Sequence, residues 1–252
     1  MATMAIGLGQ VHARPRFYGG MAAIFVLIAF GGFIPTYWAK LVGGSFDAPP
    51  IIHIHGALFF IWTLYYFTQT ALVSAGRTLD HRRWGLAGIS LATAMSIAVV
   101  LAVISGFRLA DAQGYGEASR RFSAVSLLSL PLFIGFFTAA IVKVRQAEWH
   151  KRLMILAMIP LMHAAIGRVF QTILQPPGSI GPAPVFVTIL PGLTADLLIV
   201  VAMVYDWRTR GAPHPAYIIG LPILAGTQLL LVAVAATPGW LIFTNAIARL
   251  MG

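Results

Sequence analysis

Seven long apolar stretches, separated by short polar loops, dominate the pattern of hydrophobic and polar positions along the chain. A helix needs about 20 apolar residues to cross the hydrocarbon core of a bilayer, and each stretch has at least that length. The pattern predicts an all-α protein with one transmembrane domain over residues 1–252 and an interfacial helix in its short C-terminal tail. The seven predicted spans are residues 18–41, 52–75, 84–107, 123–145, 151–173, 186–206 and 216–236.

Composition supports a membrane protein and excludes several other classes. Hydrophobic residues make up 59% of the chain and charged residues 10%, whereas a soluble domain carries about 25% charged residues. The outer surface of the folded chain must therefore face lipid. The chain has no cysteine, which excludes disulfides, thiolate catalysis, and iron–sulfur or zinc sites built on cysteine.

The basic residues predict how the chain is oriented in the membrane. Seventeen Lys and Arg against seven acids give a net charge of +10, but the basic residues lie mainly in short loops between spans. This is the positive-inside pattern of membrane proteins and not a nucleic-acid footprint. It predicts a multi-pass protein of the bacterial inner membrane with a cytoplasmic N-terminus. Eleven of the 17 basic residues mark the cytoplasmic face: Arg14, Arg16, Arg77, Arg82, Arg83, Lys143, Arg145, Lys151, Arg152, Arg208 and Arg210.

Two of the predicted hairpins, residues 52–107 and 123–173, carry a similar short pattern and are predicted to form the core of the bundle. The pattern indicates either two copies of one helical hairpin, as in many transporter folds, or a chance similarity between two apolar hairpins with basic turns. An apolar triplet precedes a basic turn at an offset of 69 residues: Ala71-Leu72-Val73 before His81-Arg82-Arg83, and Ala140-Ile141-Val142 before His150-Lys151-Arg152.

Ionisable side chains within or at the ends of the spans are the main functional candidates, because each costs a few kcal/mol in lipid. A guanidinium cannot lose its charge and a buried carboxylate needs a partner, so Arg168 and Asp196 are predicted to form an ion pair. The alternatives are that this pair is purely structural, that His163 is a neutral histidine bonded to a carbonyl, and that the histidines of span two lie among headgroups. Six residues are predicted to share one pocket in the outer half of the bilayer: His53, His55, His163, Arg168, Gln171 and Asp196.

Paired histidines on neighbouring helices also suit a b-type haem, whose iron takes two imidazole ligands. The predicted inner pair is His81 and His150, and the predicted outer pair is His55 and His163. The 13 residues from His150 to His163 turn a helix by about 220°, so two haems would lie on different sides of it. Two other interpretations stay open: the inner pair contacts lipid phosphate, or a non-haem metal ion binds the histidines and the acid of the outer pocket.

The order of these motifs resembles a group of uncharacterised bacterial membrane proteins whose four-helix core is like that of b-type cytochromes and ferric reductases. The resemblance covers roughly residues 50–170 and implies a redox core, to which spans one, six and seven are additions. The motifs that carry it are His53 or His55 opening one span, His81-Arg82-Arg83-Trp84-Gly85 opening the next, Lys143-Val144-Arg145 leading into His150-Lys151-Arg152-Leu153-Met154, and Arg168 closing span five.

These observations favour a membrane subunit that holds a cofactor or a small apolar molecule in its outer-half pocket, with a b-type haem as one such cofactor. The lipid bilayer is the predicted partner. One alternative is an accessory subunit of a larger membrane complex, which would dock partner helices through small residues such as Gly31, Gly32, Gly85 and Gly88. Another is a proton-coupled transporter of small molecules, in which Asp196 would carry the proton.

Overall fold

The computed structural model describes residues 16–176 and 178–249, and every regular element within these ranges is helical. Residues 1–15, with Arg14 of the predicted cytoplasmic face, and the last three residues of the predicted interfacial helix lie outside the described residues. The α-helices are α1 (Arg16–Gly32), α2 (Ala39–Val42), α3 (Pro50–Ser74), α4 (Thr78–Ala112), α5 (Gly116–Phe122), α6 (Ala124–Val142), α7 (Ala147–Leu174), α8 (Ile189–Arg210), α9 (Pro215–Ala236) and α10 (Pro238–Arg249). A π-helical turn over Ile34–Trp38 joins α1 to α2, and a 3-10 turn over Val185–Thr188 leads into α8.

Seven helical segments in the described ranges are long and apolar enough to cross a membrane, which confirms the predicted all-α, polytopic bundle. The helix α10 follows them with 12 residues, too few to cross the hydrocarbon core. Its position at the membrane interface stays a prediction. The seven segments are Arg16–Val42, Pro50–Ser74, Thr78–Ala112, Gly116–Val142, Ala147–Leu174, Val185–Arg210 and Pro215–Ala236.

The third and fourth segments begin six and seven residues earlier than the apolar pattern predicts. The third begins at Thr78 and not at residue 84, and the fourth begins with α5, which the pattern places in a loop. The added turns are polar, so a count of apolar residues does not detect them. Ion pairs stabilise them instead: Arg77 Nε lies 2.8 Å from Asp80 Oδ2, and Arg120 Nη1 lies 2.6 Å from Asp111 Oδ1.

The helix α7 lies at the centre of the bundle and contacts α1, α6, α8 and α9. Five consecutive side chains, from Ile155 to Ile159, are fully buried. A helix that is apolar on every side is stable in this position, because other helices cover all of its faces. Trp62 of α3 and Tyr217 of α9 are also fully buried, and the Trp62 indole donates to Met158 Sδ at 3.2 Å.

Glycines allow two of the close helix contacts. A side chain at Gly32 would clash with the backbone of Ala165 on α7, and a Cβ at Gly88 would lie 2.8 Å from the Tyr65 ring on α3. The prediction that these two glycines dock partner helices is wrong, because helices of the same chain already occupy them. At Gly31 an added Cβ would meet open space, so docking there stays a prediction, as it does at Gly85.

Candidate functional site

A cavity of about 650 Å³ lies inside the bundle, at the end where α3 begins and α7 ends. Its walls are mostly apolar and come chiefly from α3, α4, α6 and α7. Two of the six residues predicted for the outer pocket, His53 and Asp196, are not among its described lining residues. The other four line the cavity: His55, His163, Arg168 and Gln171.

The two histidines near the start of α3 have different surroundings, because residues two apart on a helix point about 160° apart. His55 lines the cavity, and its ring packs on Phe59 with ring centres 4.6 Å apart. The Nδ1 atom of His55 is buried and has no hydrogen-bond partner in the part of the chain that the structure describes. His53 instead contacts the π-helical turn, where its Nδ1 lies 3.2 Å from the Tyr37 hydroxyl. Only His55 therefore belongs to the cavity.

His163 on α7 is buried, and its Nε2 lies 2.8 Å from the Thr188 carbonyl oxygen. A carbonyl oxygen only accepts hydrogen bonds, so Nε2 carries a hydrogen and donates it to Thr188. The bond ties α7 to the turn that leads into α8. It also fixes the orientation of the ring at the cavity wall. A hydrogen bond of this kind is found both for structural histidines and for histidines that bind a ligand.

Arg168 has no acidic partner among the described residues. It is exposed at the cavity, its Nη1 lies 3.4 Å from Gln171 Oε1, and its guanidinium lies 5.9 Å from the centre of the Phe33 ring. The predicted ion pair with Asp196 does not form, because Asp196 faces α9, where Gln228 Nε2 donates to its Oδ1 at 3.3 Å. The cavity therefore contains a positive charge that no described carboxylate compensates, with one amide beside it.

The predicted inner histidine pair comes together at the opposite end of the bundle. His81 and His150 are each the fourth residue of their helices, α4 and α7, and their ring centres lie 6.2 Å apart. His150 Nδ1 lies 2.8 Å from the Ala140 carbonyl oxygen, while His81 Nδ1 is buried and has no partner within residues 16–176 and 178–249. The two occurrences of the short sequence pattern thus bring their histidines against each other.

The separation of these two rings suits a shared metal. Two imidazoles that bind one metal from opposite sides, each through a nitrogen about 2 Å away from it, have ring centres about 6 Å apart. A metal-binding histidine commonly gives its other ring N–H to a carbonyl, as His150 does. The non-haem site predicted in the outer pocket is not assembled, since the described residues contain no group of three or more His, Cys, Asp or Glu able to hold a metal ion.

A buried ion-pair cluster, which no sequence pattern predicted, lies near the start of α7. Arg152 and Asp206 are 1% and 0% exposed, and Arg152 Nε lies 2.7 Å from Asp206 Oδ2. Glu148 accepts from Arg152 Nη1 at 2.6 Å and also contacts Arg210. On sequence grounds both arginines belong to the basic residues of the cytoplasmic face. One signal was available, since Glu148 and Arg152 are four residues apart and share a helix face.

Comparison with family models, with curated proteins and with solved structures finds no match for the chain. The resemblance of residues 50–170 to four-helix redox proteins therefore stays a prediction. Any assignment of function has to rest on the cavity, the histidine pair and the buried polar groups.

Proposed function

We propose that the protein binds an acidic amphipathic small molecule within the membrane, with the apolar part in the cavity and the acid at Arg168. The observation that carries this proposal is an apolar cavity containing a guanidinium that has no acidic partner among the described residues. A charge in lipid is costly unless it is paired, and guanidinium cannot become neutral. An acidic ligand would supply the missing partner.

The size and chemistry of the cavity support a small molecule. A volume of about 650 Å³ falls within the range of about 300–1,000 Å³ that is usual for ligand pockets. The apolar walls would bury the body of the ligand, and the forked guanidinium of Arg168 can donate two parallel hydrogen bonds to a carboxylate or a phosphate. Gln171 and His55 line the same cavity and would orient the polar end.

The proposal is tested by what remains bound during purification. We expect the protein isolated in a mild detergent to release an acidic apolar molecule on organic extraction, detected by mass spectrometry. Arg168→Gln should lower the bound amount about tenfold or more, the effect of losing a charge-assisted hydrogen bond. Arg108→Gln is the matched control, because Arg108 is exposed on α4 and is not among the described lining residues. Equal amounts in Arg168→Gln and the unaltered protein would contradict the proposal.

A second candidate function is electron transfer through a b-type haem held by His81 and His150. The observation that favours it is the 6.2 Å separation of the two ring centres, together with the hydrogen bond that orients the His150 ring. Haem would supply reversible one-electron chemistry, and the two histidines would hold its iron. The resemblance of the two core hairpins to four-helix redox proteins supports the same candidate.

An absorption spectrum of the purified protein separates the two candidates. A Soret band that is lost in His81→Ala and in His150→Ala, but kept in His53→Ala, supports the haem. A spectrum without that band rejects the haem and leaves the cavity to the extraction experiment. Copurification of another membrane protein in a fixed ratio would instead support the alternative of an accessory subunit.

A further inference from the structure

The helices α8 and α9 hold one carboxyl group and one amide group against each other near the middle of their spans. Asp196 and Gln228 are 4% and 8% exposed, and Gln228 Nε2 donates to Asp196 Oδ1 at 3.3 Å. The other two oxygens, Asp196 Oδ2 and Gln228 Oε1, are buried and have no hydrogen-bond partner among the described residues. Two unpaired acceptors in one buried contact are costly, so the arrangement lacks one donor.

The amide is held in this position by the shape of α8. Gly192 lies one turn before Asp196, and a Cβ at Gly192 would lie 2.7 Å from Gln228 Cδ. Because Gly192 has no side chain, α8 leaves space at this position for Gln228 beside the Asp196 carboxyl group. The contact is built into the packing of the two helices.

No charged group of the described residues pairs with Asp196. On α7, Arg152 binds Asp206, ten residues or about 15 Å along α8 from Asp196, and His163 binds the Thr188 carbonyl. On α9, the titratable residue is Tyr217, eleven residues or about 16 Å from Gln228. Within the described part of the chain, an ionised Asp196 would therefore have only the single amide hydrogen bond to offset its loss of water.

We propose that Asp196 is protonated in the resting protein and forms a two-bond ring with Gln228. In this ring, Asp196 Oδ2–H donates to Gln228 Oε1, while Gln228 Nε2–H donates to Asp196 Oδ1. One proton satisfies both unpaired oxygens and removes the cost of a buried, unpaired carboxylate. The pair is then a proton-binding site in the middle of the membrane, the kind of group that proton-coupled membrane proteins load and unload. The proton bound by this pair is independent of the acidic molecule proposed to bind in the cavity.

Infrared spectroscopy of the whole protein in detergent tests the site directly. We expect the carbonyl stretch of a protonated carboxylic acid at neutral pH, shifted in deuterium oxide and lost when the pH is raised enough to ionise Asp196. The band should be absent in Asp196→Asn. It should persist in the matched control Asp80→Asn, whose carboxylate is ion-paired with Arg77 at the end of α4. A protein without this band at neutral pH overturns the proposal.

Thermal stability provides a second, independent readout. Asparagine can make the same two hydrogen bonds with Gln228 as a protonated aspartic acid, so Asp196→Asn should melt within about 2 °C of the unaltered protein. Gln228→Leu should melt lower, because it leaves the whole carboxyl group unpaired. A large loss of stability in Asp196→Asn would overturn the proposal. So would a melting temperature that rises with sodium concentration in the unaltered protein only, since the carboxylate would then bind a cation and not a proton.

Discussion

Replacing Asp206 with asparagine tests whether the buried ion-pair cluster stabilises the bundle. The side chain keeps its size, but Arg152, which is 1% exposed, loses the carboxylate that accepts from its Nε at 2.7 Å. Removing one partner of a buried ion pair costs about 3–5 kcal/mol, because the other charge is stranded. Glu148 still accepts from Arg152 Nη1 at 2.6 Å, so we expect the lower end of this range, about 3 kcal/mol.

The assay is thermal unfolding in detergent, followed by tryptophan fluorescence. Trp149 reports on this region, because it packs on His214 with ring centres 4.8 Å apart. A loss of about 3 kcal/mol should lower the melting temperature by about 6–12 °C for a chain of this size. The matched control is Asp80→Asn, whose partner Arg77 is 65% exposed, and there we expect less than about 1 kcal/mol.

A double variant, Arg152→Met with Asp206→Leu, distinguishes a stranded charge from a general loss of packing. It removes both charges and should recover part of the stability lost in Asp206→Asn. The reasoning is refuted if Asp206→Asn melts like the unaltered protein, or if the double variant is less stable than Asp206→Asn alone.

Two further outcomes are expected. Because the chain has no cysteine, Ser45→Cys should react with an impermeant maleimide on intact cells and Ala212→Cys should not; the opposite labelling would reverse the predicted orientation. The melting temperature should also fall as the pH drops through about 6.5, the usual pKa of a histidine. Burial and the charge of Arg152 lower the pKa of His214 in the folded protein. The unfolded chain therefore binds the proton at a higher pH, and the folded protein loses stability as the pH falls. His214 Nδ1 accepts from the Ala216 N–H at 3.1 Å, and His214→Asn, which can keep this helix cap, should weaken the pH dependence; an equal decline in both proteins would exclude His214 as the cause.

The all-α fold and its spans were predictable because the secondary structure of a segment in the bilayer depends mainly on that segment's own sequence. A segment in lipid must satisfy its own backbone hydrogen bonds, and a helix does so within itself. Apolar length is then enough to locate segments such as Pro50–Ser74 and Pro215–Ala236. The apolar pattern fails at Thr78 and at α5, where ion pairs stabilise turns that carry many polar residues.

The sequence identifies the candidate residues, but it predicts only part of their spatial arrangement. Ionisable groups inside spans are rare, so His163, Arg168 and Asp196 stand out from their sequence positions alone. Helical periodicity gives the direction of each side chain around its own helix. It does not identify the helix that lies opposite, and for Asp196 that helix is α9 with Gln228, while Arg168 stays at the cavity.

Arg152 illustrates the same limit at the other end of the bundle. The sequence counts it among the basic residues of the cytoplasmic face, yet the packing of α8 on α7 places Asp206 against it and buries both side chains. The amino-acid sequence alone imposes the requirement that a charge in a span be paired. The partner is decided by which apolar helix faces pack together, because that packing sets which polar side chains come within hydrogen-bond distance.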